Sequence, residues 1–129
     1  VVKTYDHLPQ VECYAGQLNQ VFINILVNAI DAIETQAQNQ NDRYQGIIKI
    51  QTQRDKQYAW IEISDNGIGM DMPTQEKMFD PFFTTKDVGQ GTGLGMAIAH
   101  QVITEKHGGT INCTSKLGKG SVFKITLPM

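Results

Sequence analysis

The sequence predicts an α/β fold of the α+β kind, from two observations. Two long stretches carry apolar residues three and four positions apart, as one face of a helix requires. Several shorter stretches read as strands, two pairs of them joined by turns. Val1 to Tyr5 is short and β-branched, an expected edge strand closed by Pro9. From about Gln17 to about Gln36 a helix is expected: Leu18, Val21, Phe22, Ile25, Leu26, Ala29, Ile30 and Ile33 recur at helical spacing. The polar run Asn39-Gln40-Asn41-Asp42 breaks it. Ile47 to Arg54 and Tyr58 to Asp65 are strands with Asp55-Lys56-Gln57 as the turn. One helical turn is expected near Thr74 to Met78. A second helix is expected from about Leu94 to Lys106, ending at His107-Gly108-Gly109. Thr110 to Lys116 and Ser121 to Leu127 form a closing hairpin.

With 129 residues the chain is one domain's worth, 1–129. A chain of this size buries roughly two-thirds of the surface that its unfolded form exposes, enough for one core. Hydrophobic residues are 40% and charged residues 19%, a globular balance rather than a disordered one. Eleven basic residues against 13 acidic ones leave a net charge of −2, which argues against non-specific binding to nucleic acid or an anionic membrane. No apolar run approaches the length of a membrane span. Cys13 and Cys113 lie too far apart in sequence for a metal-binding CxxC, and read as core or strand residues in a reducing compartment. The chain begins without Met and ends straight after a strand pattern, so a domain cut from a longer protein is expected.

Three features carry chemistry. On the first helix Gln17, Gln20, Asn24, Asn28 and Asp31 fall within an arc of roughly 80°. The rest of the circumference is mostly apolar, as on a buried helix. On periodicity alone this stripe reads as a solvated face; alternatively its oxygens face a cleft, where a hard cation such as Mg²⁺ takes oxygen ligands completed by phosphates. In the strand ending at Asp65, Ile61 and Ile63 share parity with the aspartate, so its carboxylate is expected on the inner face. It equally suits the start of the turn Asp65-Asn66-Gly67. Ser121 shares parity with Phe123 and Ile125 and is expected to face inward too. Finally, Gly89, Gly91, Gly93 and Gly95 precede the second helix, where backbone N–H groups attract anions. The pattern is neither a P-loop nor the dinucleotide fingerprint.

In order, these pieces resemble the catalytic and ATP-binding domain of sensor histidine kinases, within the superfamily of gyrase B subunits, mismatch-repair ATPases and heat-shock chaperones. Asn24 to Ala29 resembles the N box, Asp65 to Met70 the first glycine box and Phe79 to Lys86 the F box. Gly91 to Met96 resembles the second glycine box, and Gly118 to Phe123 the closing glycine-and-strand signature. The resemblance spans almost the whole chain. It implies the Bergerat ATP-binding fold, a two-layer sandwich. A mixed, mostly antiparallel sheet of about five strands would carry about three helices on one face. It further implies ATP and Mg²⁺ as cofactors, and γ-phosphate transfer to a histidine on a separate dimerisation domain.

Residue by residue, the resemblance implies that Asp65 accepts the adenine amino group, supported by Ser121 through a water. Gly67, Ile68, Gly69 and Met70 would line the same pocket. Asn28 would ligate Mg²⁺, with Asn24 near the phosphates and Asp31 on the same stripe. Gly91, Thr92, Gly93, Leu94, Gly95 and Met96 would hold the phosphates at the helix start. Thr84 to Gly91 would be a mobile lid, poorly ordered without nucleotide, anchored by Phe79 and Phe82; those two are equally readable as plain core residues.

Two features sharpen the class. Hydrolytic and hydroxyl-directed relatives carry a Glu base where Asn24 stands, and an amide cannot take a proton at neutral pH. Many histidine kinases carry Lys where Asp31 stands; the Asn-Ala-Ile-Asp-Ala variant resembles the nitrogen-regulation-type subgroup, and Lys86 becomes the candidate phosphate-binding cation. None of His7, His100 and His107 is followed by an acidic residue, as the family's acceptor histidine is, so the acceptor helix pair is expected upstream. The implied partners are that upstream dimerisation domain and a downstream response-regulator receiver domain, with no nucleic acid. The domain alone would be monomeric and its parent a homodimer. It would be cytoplasmic, the parent membrane-anchored or not. The alternatives are an ATP-hydrolysing relative or a degenerate nucleotide-binding regulatory module.

Overall fold

A computed structural model of the chain describes residues 2–4, 15–39, 44–80 and 95–128. Val2–Thr4 (β1), Ile48–Arg54 (β2), Tyr58–Asp65 (β3), Thr110–Lys116 (β4) and Gly120–Pro128 (β5) form one sheet in the order β1-β2-β3-β5-β4. β1 runs parallel to β2 and every other pairing is antiparallel, so the sheet is mixed, mostly antiparallel and edged by β1 as expected. Ala15–Asn39 (α1), Met72–Lys77 (α2) and Gly95–Gln101 (α3) complete the fold.

Strand alternation places Ile48, Ile63, Ile111, Phe123, Ile125 and Leu127 on one face of the sheet. Against them α1 lays Leu18, Val21, Ile25 and Ala29, and α3 adds Met96 and Ala99. Both helices thus bury one stripe against one side of the sheet, the two-layer arrangement that amphipathic elements require. α1 is longer than its periodic stretch. It is also less enclosed than an apolar circumference suggests: Ile23, Val27 and Ile30 are 51%, 42% and 47% exposed. Its sheet-facing stripe is satisfied by the four buried residues, and among the described residues no element covers the apolar residues on the far side.

The second helix departs from a continuous run to Lys106. After Gln101 the chain widens into a π-helical turn, Val102–Lys106. The wider turn lets two consecutive residues, Val102 and Ile103, enter the core together. The carbonyls it leaves are used: Gly109 N donates to Ile103 O at 2.9 Å, and His107 Nδ1 lies 3.0 Å from Val102 O. Gly108 then takes a φ of +64°, which ends the helix at the expected place. α2 starts two residues earlier than its sequence suggests. Asp71 caps it, accepting from Thr74 N at 2.9 Å, and Pro73 sits in its first turn.

The contact that brings sheet and helix together at the site is made by Gly67. A Cβ there would lie 2.6 Å from the Ala32 carbonyl carbon of α1, and Ile68 N donates to that residue's oxygen at 3.0 Å. Gly67→Ala therefore has nowhere to put its methyl group. It is expected to lower stability by about 1–3 kcal/mol, read as a lower urea midpoint with an unchanged slope.

Candidate functional site

A cleft of about 520 Å³ opens between α1 and the loop that follows β3. The polar stripe of α1 reaches it with Asn28 and Asp31, while Gln17 and Gln20, further up the helix, stay exposed. The opposite wall is Asp65, Ile68, Gly69, Met70 and Ser121. Seven residues singled out from the sequence are thus gathered on one cavity, although 93 positions separate Asn28 from Ser121.

Asp65 ends β3 on the inner face, between Ile48 of β2 and Ser121 of β5 in register. Partial burial pushes its carboxyl above the ordinary carboxylate range, opposed by hydrogen bonds from the backbone N–H groups of Gly67 and Ser121. The first is 2.8 Å, from Gly67 N to Oδ1. Ser121 is buried, 6% exposed, as its parity implies. Cys113, in β4 against the core, has its thiol pushed up to about 12 by burial and by the charge of Asp65, so it packs rather than reacts.

Other residues take different places. Gly67 backs onto α1 rather than lining the cleft. Asn24 ties α1 to the start of α3: its Nδ2 donates to Gly95 O at 3.0 Å, and its Oδ1 accepts from Gln20 Nε2 at 3.0 Å. Met96 is in the core, 8% exposed. Phe79 is partly buried against the core and also meets the exposed His100 ring, centroids 5.2 Å apart. Phe82, Lys86, Gly91, Thr92, Gly93 and Leu94, the expected lid Thr84 to Gly91, and Cys13 lie outside the described residues.

Polar residues whose partners no sequence pattern indicates hold the site together. Asn66 N donates to Ile47 O at 3.3 Å, and its side chain donates to Gln45 O and accepts from Ile47 N. Tyr44 donates its hydroxyl to Asn66 O at 2.9 Å. Burial and the nearby Asp65 charge raise that phenol above its usual range, so it remains a donor. Gln36 of α1, 5% exposed, donates to Gly118 O in the β4–β5 turn at 3.3 Å. Gln75 of α2 pairs with both backbone groups of Ser115. No local pattern marks these residues, whose partners are 19 to 82 positions away. Among the described residues no three His, Cys, Asp or Glu side chains gather as a metal cluster, and no helix is long and apolar enough to cross a membrane.

A cavity walled by an inward carboxylate, a tight glycine loop and a helix with carboxamide and carboxylate oxygens defines a nucleotide-binding α+β domain. The chain belongs to the histidine kinase-, DNA gyrase B- and HSP90-like ATPase family, whose sequence profile matches residues 14–129. Within that family it is of the histidine-kinase type. It is 40% identical over 124 residues to the sensor kinase CckA of Brucella abortus, covering 92% of this chain and 13% of that protein. It is 45% identical over 114 residues to the signal transduction histidine-protein kinase AtoS of Escherichia coli, covering 87% of this chain and 17% of that one. The catalytic domain of the histidine kinase ThkA, solved nucleotide-free, superposes with a TM-score of 0.77 at 30% identity, over 98% of this chain and 78% of that one. The chain thus spans under a fifth of the length of either full-length relative.

Proposed function

We propose that this domain binds Mg²⁺-ATP in the cleft and transfers the γ-phosphate to a histidine on a separate dimerisation domain of its parent protein. The observation that carries the reading is Asp65: a carboxylate on the inner face, facing a cavity whose other wall holds Asn28 and Asp31. Asp65 accepts from the adenine amino group, and Ser121 supports it. Ile68, Gly69 and Met70 flank the base. Asn24, bonded to Gly95 O, holds the start of α3 near the phosphates, toward which Lys86 acts and which Gly91, Thr92, Gly93, Leu94, Gly95 and Met96 receive. Phe79 and Phe82 anchor the lid.

The residues fit a magnesium ion. Asn28 lines the cleft and carries a neutral carboxamide oxygen, and a hard cation that keeps waters and shares phosphate oxygens needs few protein ligands. When bound, the ion neutralises charge on the phosphate oxygens. The partners would be the parent's own acceptor helix pair and, downstream, a response-regulator receiver domain; the parent would be a homodimer and the domain cytoplasmic.

Calorimetric titration with ATP, with and without Mg²⁺, tests the reading. The wild-type domain is expected to gain affinity when Mg²⁺ is added. Asn28→Ala is expected to lose most of that gain while keeping its Mg²⁺-free affinity. A Mg²⁺ effect of the same size in both proteins would remove Asn28 from the metal site. Absence of ATP binding in the wild type would sink the function itself.

A further inference from the structure

Behind the cleft wall, Ser115 of β4 and Ser121 of β5 are register partners with hydroxyl oxygens 2.7 Å apart. Either could donate on distance alone; the surroundings decide. A serine hydroxyl has one proton and two acceptor lone pairs. Ser115 Oγ donates to Gly120 O at 2.9 Å, and a carbonyl oxygen only accepts. Met70 N donates to Ser115 Oγ at 2.8 Å. All three contacts at Ser115 Oγ are hydrogen bonds at once only when its single proton goes to Gly120 O, which cannot donate, and Ser121 is the donor in the serine pair. Ser115 is itself clamped: Gln75 Nε2 donates to its carbonyl at 2.8 Å and its N–H donates to Gln75 Oε1 at 3.0 Å.

Ser121 lines the cleft, and with its proton turned inward its oxygen offers the cleft only an acceptor. Beside it in register, the ionised carboxylate of Asp65 is also only an acceptor. We propose that Ser115, which does not itself face the ligand, is a positioning residue for nucleobase specificity. By taking the proton of Ser121 it keeps this wall free of donors. Such a wall suits a base whose exocyclic group donates protons, directly or through a water. It opposes a base with a carbonyl oxygen at that point, because oxygen would face oxygen with no proton between them. The inference rests on the adenine reading of the cleft.

The test compares affinities for ATP and for inosine triphosphate, in which a carbonyl replaces the amino group, in the wild type, Ser115→Ala and Ser115→Thr. In Ser115→Ala the proton of Ser121 is released and can turn to a ligand carbonyl. The preference for ATP over inosine triphosphate is expected to fall about five- to tenfold, the range of one hydrogen bond. Ser115→Thr keeps the hydroxyl and is expected to keep the wild-type ratio. If Ser115→Ala does not fold, Ser115→Cys, of similar size and a weak acceptor, is expected to show the same fall. A purely structural role would lower the melting temperature and weaken both nucleotides equally; an unchanged ratio in the alanine variant overturns the inference. So does a threonine variant that behaves like alanine. A wild-type domain with no preference for ATP overturns the adenine reading beneath it.

Discussion

Asp65→Asn is expected to weaken ATP binding by at least tenfold while the empty domain becomes more, not less, stable at neutral pH. The first half follows from the loss of a charged acceptor. A hydrogen bond to an ionised group contributes about 1.5–3 kcal/mol, and each 1.36 kcal/mol is a factor of ten in affinity. The amide that replaces it also turns a donor toward the base on one of its two faces. The second half follows from linkage. Burial raises the carboxyl of Asp65 above its unfolded range, outweighing the bonds from the Gly67 and Ser121 backbone. A group whose folded value is raised stabilises fully below its unfolded value, and that contribution is lost as pH rises through the folded one. At neutral pH the ionised carboxylate is therefore held at a cost that the neutral amide does not carry. Thermal melts without nucleotide should show the variant above the wild type at neutral pH, the gap closing below the ordinary carboxylate range. Calorimetry supplies the affinities. Unchanged ATP affinity in a folded variant would remove Asp65 from the base site, and a lower melting temperature would show that its carboxylate is a structural partner instead.

The isolated chain is expected to bind Mg²⁺-ATP yet neither label itself nor release phosphate at an appreciable rate. Transfer needs a nucleophile in line with the γ-phosphate at about 3–3.5 Å. Among the described residues, the His100 ring packs on Phe79, and His107 turns its Nδ1 to the carbonyl of Val102, the first residue of the π-helical turn. Hydrolysis needs a base toward water, typically contributing about 10²–10⁴-fold. The position where relatives carry that base holds Asn24, and both ends of its amide are engaged, by Gln20 and by Gly95. Asn24 thus serves as a tie between α1 and α3 and has no proton-accepting nitrogen or carboxylate to offer. What remains is positioning and charge stabilisation, the larger share of catalysis in phosphoryl transfer. With radiolabelled ATP, label is expected only when the parent's acceptor helix pair is added, and slowly, because the two are no longer tethered. Stable label on the lone domain, or brisk phosphate release, would favour a hydroxyl-directed or hydrolytic relative.

The order and nature of nearly every element were legible along the chain, because helix and strand periods are local. The inward aspects of Asp65 and Ser121 were equally legible, since parity along a strand leaves no choice of face once the isoleucines are buried. The sequence also supplied the chemistry of the α1 stripe, but not its outcome. Whether Asn28 and Asp31 met water or a cleft depended on the loop after β3 crossing over them, and that crossing rests on the absence of a side chain at Gly67 beside Ala32. The π-helical turn was likewise invisible: the periodicity of Val102 and Ile103 reads as an ordinary helix, and only the core's demand for both side chains widens it. Least legible was the polar scaffold. Tyr44 on Asn66, Gln36 on Gly118, and Gln75 and Met70 on Ser115 join residues from different elements. A hydrogen bond at long range leaves no period in a sequence, and a lone glutamine or serine reads as solvated until tertiary structure places its partner. The two groups that bear on the Ser115–Ser121 pair, Met70 N–H and Gly120 O, meet Ser115 only once the loop after β3 and the β4–β5 hairpin are folded together, so the polar order of this wall belongs to the tertiary structure.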